Sequence, residues 1–216
     1  MNKKILFFFW LIMVSVGPYI VYSNSNMELI LSNRFLLVNY IQRTLGLMAF
    51  GAITFQITLG SNMDYFRKVL AGSALKFHII NGLFTYFLVF SHPLMWIVSN
   101  YFLRGRIDIY FPFVDVCLLC KSWLDWVYNF GRLGFWAITI AVSAGLLRGY
   151  DKFMRLNWRK FHVLNYFAFY FVSIHAYNIG SDSTIKLFLY FFWICQILVG
   201  YSIIKNLRKI PRLFLN

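Results

Sequence analysis

The sequence predicts an all-α membrane protein, a bundle of six transmembrane helices with both termini in the cytoplasm. First, 60% of the 216 residues are hydrophobic and 13% are charged, and the mean hydropathy is +0.64. A soluble domain averages about 45–50% apolar and about 25% charged residues. Second, the apolar residues form six segments, each near the ~20 residues that cross a bilayer as a helix. Third, the basic residues lie between these segments and are distributed unevenly over the two sides.

The six apolar segments cover residues 5–22, 35–60, 77–102, 130–147, 164–179 and 185–204, and the fifth begins near residue 160 if His162 is included. Backbone groups in lipid must be hydrogen-bonded within the segment, so we expect helices. The alternating segments of about ten residues that form a membrane barrel are absent from the sequence. We therefore treat residues 1–216 as one helical membrane domain.

The first segment also has features of a signal peptide. Lys3 and Lys4 precede an apolar run that ends in "VYS". The run is longer than the usual ~7–15 residues, and Gly17-Pro18 lies in its outer half. We interpret it as a retained helix, and the orientation of the other helices is the same in either case.

The basic residues predict the orientation. Loops and termini on one side carry 14 Lys and Arg residues, three of them at Arg208, Lys209 and Arg212, and the other side carries 6, including Arg132. The positive-inside rule then places both termini in the cytoplasm.

The net charge of +14 does not indicate nucleic-acid binding, because the charges occur in short runs between apolar segments. Abundant Phe, Asn, Lys and Ile suggest a bacterial protein, so we expect the cytoplasmic (inner) membrane.

The sequence has only four histidines, and they fall into two pairs. His78 and His92 are fourteen residues apart on the third segment, and His162 and His175 are thirteen apart on the fifth. At 1.5 Å per residue these spacings are about 21 and about 20 Å. Both segments run from inside to outside. His78 and His162 are therefore expected near the cytoplasmic face, and His92 and His175 near the outer face.

Two imidazoles at one depth suit haem iron, which takes one axial ligand on each side of a flat ring. Zinc and copper usually take three or four protein ligands, and no Cys or carboxylate is expected at either depth.

The spacing of the two histidines on the fifth segment does not fit an ideal straight helix. Thirteen residues leave His162 and His175 about 140° apart around an ideal helix, so either the fifth helix is distorted or its histidines extend from opposite flanks. Pro93, directly after His92, predicts a bend in the third helix.

Three motifs resemble the ferric reductase-like transmembrane domain, over roughly residues 43–204: "QRTLGLMAFGAITFQITLGS", "FHIINGLFTYFLVFSHP" and "WRKFHVLNYFAFYFVSIHAYN". This domain is the membrane part of ferric reductases and NADPH oxidases, and it is similar to the haem subunit of the bacterial methionine sulfoxide reductase system. The resemblance implies two b-type haems. His78 and His162 would be the axial ligands of the inner haem iron, and His92 and His175 those of the outer one.

The resemblance also suggests a role for Arg43, the one basic residue that the count of 14 against 6 leaves out, which lies inside the second apolar segment. Arg43 is expected about 13 Å below Arg34 on the second helix, near the depth of the outer pair. A buried guanidinium needs an anionic partner, and the resemblance implies a propionate of the outer haem. NADPH oxidases carry a further histidine one turn past the outer ligand of the third helix. Trp96 stands there in this chain, which argues against superoxide production.

The expected activity is electron transfer from a cytoplasmic-side donor to an acceptor on the outer side, as the membrane component of an oxidoreductase. We assign no catalytic residue. The chain has no Gly-rich dinucleotide fingerprint, so we expect no FAD or NADPH site and a separate flavoprotein or quinol as donor. Membrane lipid surrounds the helices, and the acceptor could be iron, oxygen, quinone or a periplasmic protein.

Three alternatives stay open. The protein could be a haem subunit that delivers electrons to a periplasmic reductase. It could instead be a proton-relay or transporter subunit that uses its histidines as titrating groups, although its acidic residues lie in loops or near helix ends. It could also be a structural subunit of a larger complex, which gives no reason for the matched depths.

The long outer connection, residues 103–129, contains Cys117 and Cys120. The connection is aromatic, and we expect it to lie along the membrane interface or to fold back over the bundle. The C-x-x-C spacing allows a redox pair. A structural disulfide or simple burial also fits, because no thioredoxin-like context surrounds it.

Overall fold

The computed structural model describes residues 3–207 and shows helices and no strand in that range. The helices are α1 Lys3–Ser23, α2 Met27–Ser32, α3 Arg34–Ser61, α4 Met63–Val69, α5 Ala74–Arg104, α6 Tyr110–Phe113, α7 Trp123–Leu147, α8 Lys152–His162, α9 Leu164–Ile179 and α10 Lys186–Asn206, with a 3₁₀ helix at Ser181–Thr184. Arg208, Lys209 and Arg212, which entered the charge count, lie outside the described residues.

Five of these helices are long and apolar enough to cross a membrane: α1, α3, α5, α7 and α10. They indicate an integral, multi-pass membrane protein, and the all-helical fold class is confirmed for the described residues. The predicted fifth segment differs from the other five. Its α9 has 16 residues, about 24 Å of helix, which is shorter than the ~30 Å hydrocarbon core.

The fourth predicted segment begins earlier than the sequence suggested. α7 starts at Trp123 rather than near residue 130, because Ser122 caps it: the Ser122 hydroxyl accepts a hydrogen bond from Asp125 N at 3.2 Å. Arg132, which the predicted segment 130–147 already contained and the charge count assigned to the outer side, lies in α7 and is 5% exposed.

The fifth predicted segment is interrupted directly after its first histidine. α8 ends at His162, and α9 begins at Leu164. The N–H of Val163, the residue between them, bonds to Arg159 O at 3.3 Å. Val163 keeps right-handed helical dihedral angles (φ −62°, ψ −25°), and the next hydrogen bond, from Tyr166 N to Val163 O at 3.0 Å, is of the tighter i→i−3 type. This local irregularity favours the distorted-helix alternative. α5, in contrast, continues through Pro93 to Arg104 and ends at Gly105 in a left-handed conformation (φ 66°).

α3 is the central helix and packs against α1, α5, α9 and α10. Its approach to α1 is very close, because a Cβ atom added to Gly51 would lie 1.9 Å from Met13 O. α7 packs mainly against α8 and α9. The two sets of helices meet around Phe50 of α3 and Phe169 of α9, whose buried rings stack with centroids 5.4 Å apart.

The outer connection folds back over the bundle, as one of the two sequence-based alternatives predicted. Phe111 of α6 stacks on Trp96 of α5 with ring centroids 4.4 Å apart. The Trp136 indole donates to Phe113 O at 2.8 Å. These contacts fix the connection against α5 and α7, beside His92 and His175.

Two facing histidine pairs as the candidate site

The structure brings the four histidines together as two facing pairs, in the combination the sequence predicted. The rings of His78 and His162 have centroids 6.1 Å apart and planes inclined by 58°. The rings of His92 and His175 are 6.4 Å apart and inclined by 86°. No hydrogen bond joins the two rings of either pair. The fourteen-residue spacing on α5 separates the two levels by about 21 Å along that helix.

Each histidine ring lies beside a glycine of a neighbouring helix. Cβ atoms built on Gly46 and Gly60 of α3 would come within 2.9 Å of His92 and 3.0 Å of His78. On α7, a Cβ on Gly131 would lie 2.7 Å from His175 Nδ1, and one on Gly145 would lie 3.8 Å from His162. Three of these distances are shorter than the ~3.5–4.0 Å of a carbon contact. Glycine therefore provides the space that the rings occupy.

Three of the rings are oriented by a backbone carbonyl four residues before the adjacent glycine. Nδ1 of His92 bonds to Gln42 O at 2.9 Å, and Nδ1 of His175 bonds to Val127 O at 2.9 Å. Nδ1 of His162 bonds to Ala141 O at 3.2 Å. A carbonyl can only accept, so Nδ1 is the protonated nitrogen. The lone pair of each ring is then on Nε2, the nitrogen that a metal-binding histidine presents when a carbonyl holds its other side.

His78 is held differently, by a polar network that reaches α1. Gln56 Nε2 donates to His78 O at 2.8 Å and lies 3.3 Å from His78 Nε2. Gln56 Oε1 accepts from Asn81 at 2.6 Å, and Asn81 Oδ1 accepts from the Trp10 indole at 2.7 Å. His78 Nδ1 is buried and has no hydrogen-bond partner in the described part of the chain. An unpartnered buried ring nitrogen is uncommon and calls for a specific explanation.

A cavity of about 630 Å³ surrounds the outer pair, with His92 and His175 in its wall. This volume lies within the ~300–1,000 Å³ range of ligand pockets. Arg43 and Asp182 also line it, and they form a bidentate ion pair: Arg43 Nε donates to Asp182 Oδ2 at 2.9 Å, and Nη2 donates to Oδ1. The anionic partner that Arg43 was expected to need is thus present in the chain itself. The Asp182 side chain is 4% exposed.

A second guanidinium, that of Arg132, lies in the wall of the same cavity. Its Nε donates to Phe111 O at 2.7 Å, its Nη1 donates to Asn129 Oδ1 at 3.1 Å, and its Cζ lies 4.6 Å from the centre of the Phe111 ring. Among the described residues Arg132 has no carboxylate within ion-pair distance. The outer cavity therefore carries excess positive charge.

Sequence reasoning missed several of these residues. The glycines had a detectable signal, because Gly46 and Gly60, like Gly131 and Gly145, are fourteen residues apart, the same spacing as His78 and His92. Asp182 had none, because 139 positions separate it from Arg43.

Comparison of the chain with models of protein families, with curated proteins and with solved structures finds no match. The resemblance to the ferric reductase-like domain therefore rests on the three motifs.

Proposed function

We propose that this protein is a transmembrane electron-transfer protein with two b-type haems, similar to the membrane domain of ferric reductases and NADPH oxidases. In this proposal α8 and α9 together supply a sixth crossing, both termini are cytoplasmic, and the membrane is the bacterial inner membrane. Electrons enter from a separate flavoprotein or a quinol and leave to an acceptor on the outer side. The observation that carries the proposal is the pair of facing histidine rings at each of two levels.

The separation of the rings supports one metal ion between them. A five-membered ring with bonds of about 1.33 Å has its atoms about 1.1 Å from its centre. With a metal–imidazole bond of about 2.0–2.1 Å, two collinear rings have centres about 6.3 Å apart. The observed separations are 6.1 and 6.4 Å. A direct hydrogen bond between the two rings of a pair would not account for this distance.

The surroundings of the rings support a flat guest rather than a metal held by protein ligands alone. In residues 3–207 no group of three or more His, Cys, Asp or Glu side chains could hold a metal ion, whereas zinc sites use three or four such ligands. The glycines leave room where a side chain would fill it, and the carbonyls orient three of the rings. When bound, haem supplies reversible one-electron chemistry, and the protein supplies ligation, orientation and a dry surrounding.

The charges of the outer cavity support an anionic group on the guest. Arg43 was assigned to a propionate of the outer haem, and that assignment stays a proposal in which Asp182 competes for the same guanidinium. Arg132 is a second candidate, since its only hydrogen-bond acceptors among the described residues are the Phe111 carbonyl and the Asn129 amide oxygen, both uncharged. A carboxylate beside either arginine would form a charge-assisted hydrogen bond.

The residues between the levels support a water-free path. Phe50 and Phe169 lie midway along α3 and α9, are 3% and 0% exposed, and stack within 15° of parallel. Phe192 of α10 stacks on the other side of Phe50, with centroids 5.9 Å apart. Such packing excludes water from the region that an electron crosses between the two sites.

The test is the visible spectrum of the purified full chain, expressed with haem available. We expect low-spin b-type bands at about two haems per chain. His78→Ala or His162→Ala should remove one haem, and His92→Ala or His175→Ala should remove the other. Asn178→Ala is a matched control, because Asn178 is exposed one turn past His175 on the same helix. It should keep both haems.

A colourless chain would refute the proposal. Loss of both haems or of neither in each histidine variant would refute the pairing.

A further inference from the structure

The outer connection contains a redox-capable pair that electron transfer between the two histidine sites does not use. Cys117 and Cys120 form a disulfide, with Cα atoms 5.4 Å apart. Both are half-buried. The residues between them, Leu118 and Leu119, are 82% and 93% exposed. The disulfide therefore lies at a protruding apolar turn that another protein can reach.

Asn129 of α7, which is 2% exposed, makes three contacts with this turn through its side-chain amide. Its Oδ1 accepts from Cys117 N at 3.1 Å, and its Nδ2 donates to Cys117 O at 2.6 Å. The same Nδ2 lies 3.3 Å from Cys120 Sγ. A fixed N–H donor beside a sulfur stabilises the thiolate that forms when a disulfide opens, and the thiolate is the reactive species in exchange.

Asn129 also connects the disulfide to the outer histidine site. Arg132 Nη1 donates to Asn129 Oδ1 at 3.1 Å, and Arg132 lines the cavity that holds His92 and His175. Two side-chain hydrogen bonds thus link the wall of that cavity to Cys120 Sγ. Val127, two residues before Asn129 on α7, provides the carbonyl that orients His175.

We propose that Cys117 and Cys120 form an electron relay that accepts electrons from the outer histidine site and reduces a disulfide of a partner protein on the outer side. This inference rests on the proposed function and names the class of acceptor. A b-type haem held by His92 and His175 would supply two electrons, one at a time. Together with two protons from water they convert the Cys117–Cys120 bond into two thiols.

The second half of the cycle is thiol–disulfide exchange. The Cys120 thiolate, stabilised by Asn129, attacks one sulfur of the partner disulfide, forms a mixed disulfide and releases one partner thiolate, which takes a proton. The Cys117 thiolate then attacks Cys120 Sγ, which regenerates the internal disulfide and releases the second partner thiol. Two electrons and two protons have moved to the partner. The exposed Leu118 and Leu119 favour a disulfide flanked by apolar protein surface over a small polar one.

The first test measures thiols rather than turnover. In a Cys195→Ala background only Cys117 and Cys120 can be labelled. The haem-loaded chain is reduced without oxygen by a photoreduced deazaflavin, quenched with acid, denatured and treated with a polyethylene-glycol maleimide. We expect two labels per chain, appearing at least tenfold faster than in His175→Ala. Asn129→Leu should slow labelling while both haems still become reduced.

The outcomes separate this proposal from the proposed function. If the chain binds no haem, both fail. If both haems are present and become reduced but the cysteines stay unlabelled, or if His175→Ala is labelled as fast as the parent, the relay alone is overturned.

A second test concerns the partner. The reduced chain is mixed with insulin or with oxidised glutathione, and haem re-oxidation and new thiols are followed. We expect insulin to be reduced, and Leu118→Ser with Leu119→Ser should slow this at least fivefold without changing the labelling of Cys117 and Cys120. Reduction of glutathione alone would overturn the assignment of a protein disulfide.

Discussion

Replacing Gly131 by alanine tests how the outer histidine is held. The new Cβ would lie 2.7 Å from His175 Nδ1, about 0.8 Å inside a normal contact. The ring must therefore move away, and its 2.9 Å hydrogen bond to Val127 O is lost or weakened. Gly145→Ala is the matched control on the same helix, because its Cβ would lie 3.8 Å from His162, an ordinary contact.

The expected magnitude follows from three contributions. Overpacking costs about 1–3 kcal/mol, and the lost hydrogen bond costs about 0.5–1.5 kcal/mol. Alanine recovers up to about 1 kcal/mol over glycine inside a helix. Gly131→Ala should thus be destabilised by about 0.5–4.5 kcal/mol, whereas Gly145→Ala should be neutral or stabilised by up to about 1 kcal/mol.

The assay has two readouts on detergent-solubilised protein. Thermal unfolding of the haem-free chain, followed by circular dichroism, should give a lower midpoint for Gly131→Ala than for Gly145→Ala. Haem titration should show weaker binding at one site only in Gly131→Ala. A difference of about 2 kcal/mol corresponds to a roughly thirtyfold weaker affinity. Equal midpoints and equal haem affinities for the two variants would refute the argument that glycine makes room for His175.

Three further predictions follow from other contacts. Asp182→Asn should destabilise the chain by about 1–3 kcal/mol, because it removes the charge that pairs with Arg43, whereas Glu28→Gln, at an exposed position, should change the unfolding midpoint little. In the haem-loaded protein Asp182→Asn should raise the reduction potential of the outer haem and Arg43→Gln should lower it. Loss of a negative charge favours the reduced state, and loss of a positive charge disfavours it. Shifts of the same sign in a redox titration would contradict this. Gln56→Leu should leave the amide N–H of the buried Asn81 without an acceptor and destabilise the chain by about 1–3 kcal/mol. It should change haem binding at the inner site alone. The Gln42 side chain has no hydrogen bond in the described part of the chain, so Gln42→Leu should neither destabilise the chain nor change the inner site.

The sequence by itself determined the long apolar helices and which histidines form pairs. Hydropathy over about twenty residues is a local property, and the lipid requirement for internal hydrogen bonds leaves a helix as the outcome. The rise of 1.5 Å per residue is fixed, so spacings of fourteen and thirteen residues predicted which histidines share a level. The pairs observed at 6.1 and 6.4 Å agree with that prediction.

The tertiary structure decided how those histidines are oriented and what surrounds them. Whether Arg43 meets Asp182 depends on the approach of α3 to the 3₁₀ helix, which no local pattern encodes. Arg132 is buried because the outer connection folds back over α7 and Phe111 O accepts its Nε–H at 2.7 Å, and the direction of the His162 ring is set by Ala141 O of α7. The tertiary structure also showed that a histidine ring lies beside each of four glycines, Gly46, Gly60, Gly131 and Gly145. The fourteen-residue spacing of these glycines could not show this, because a missing side chain has an effect only where another group occupies the space.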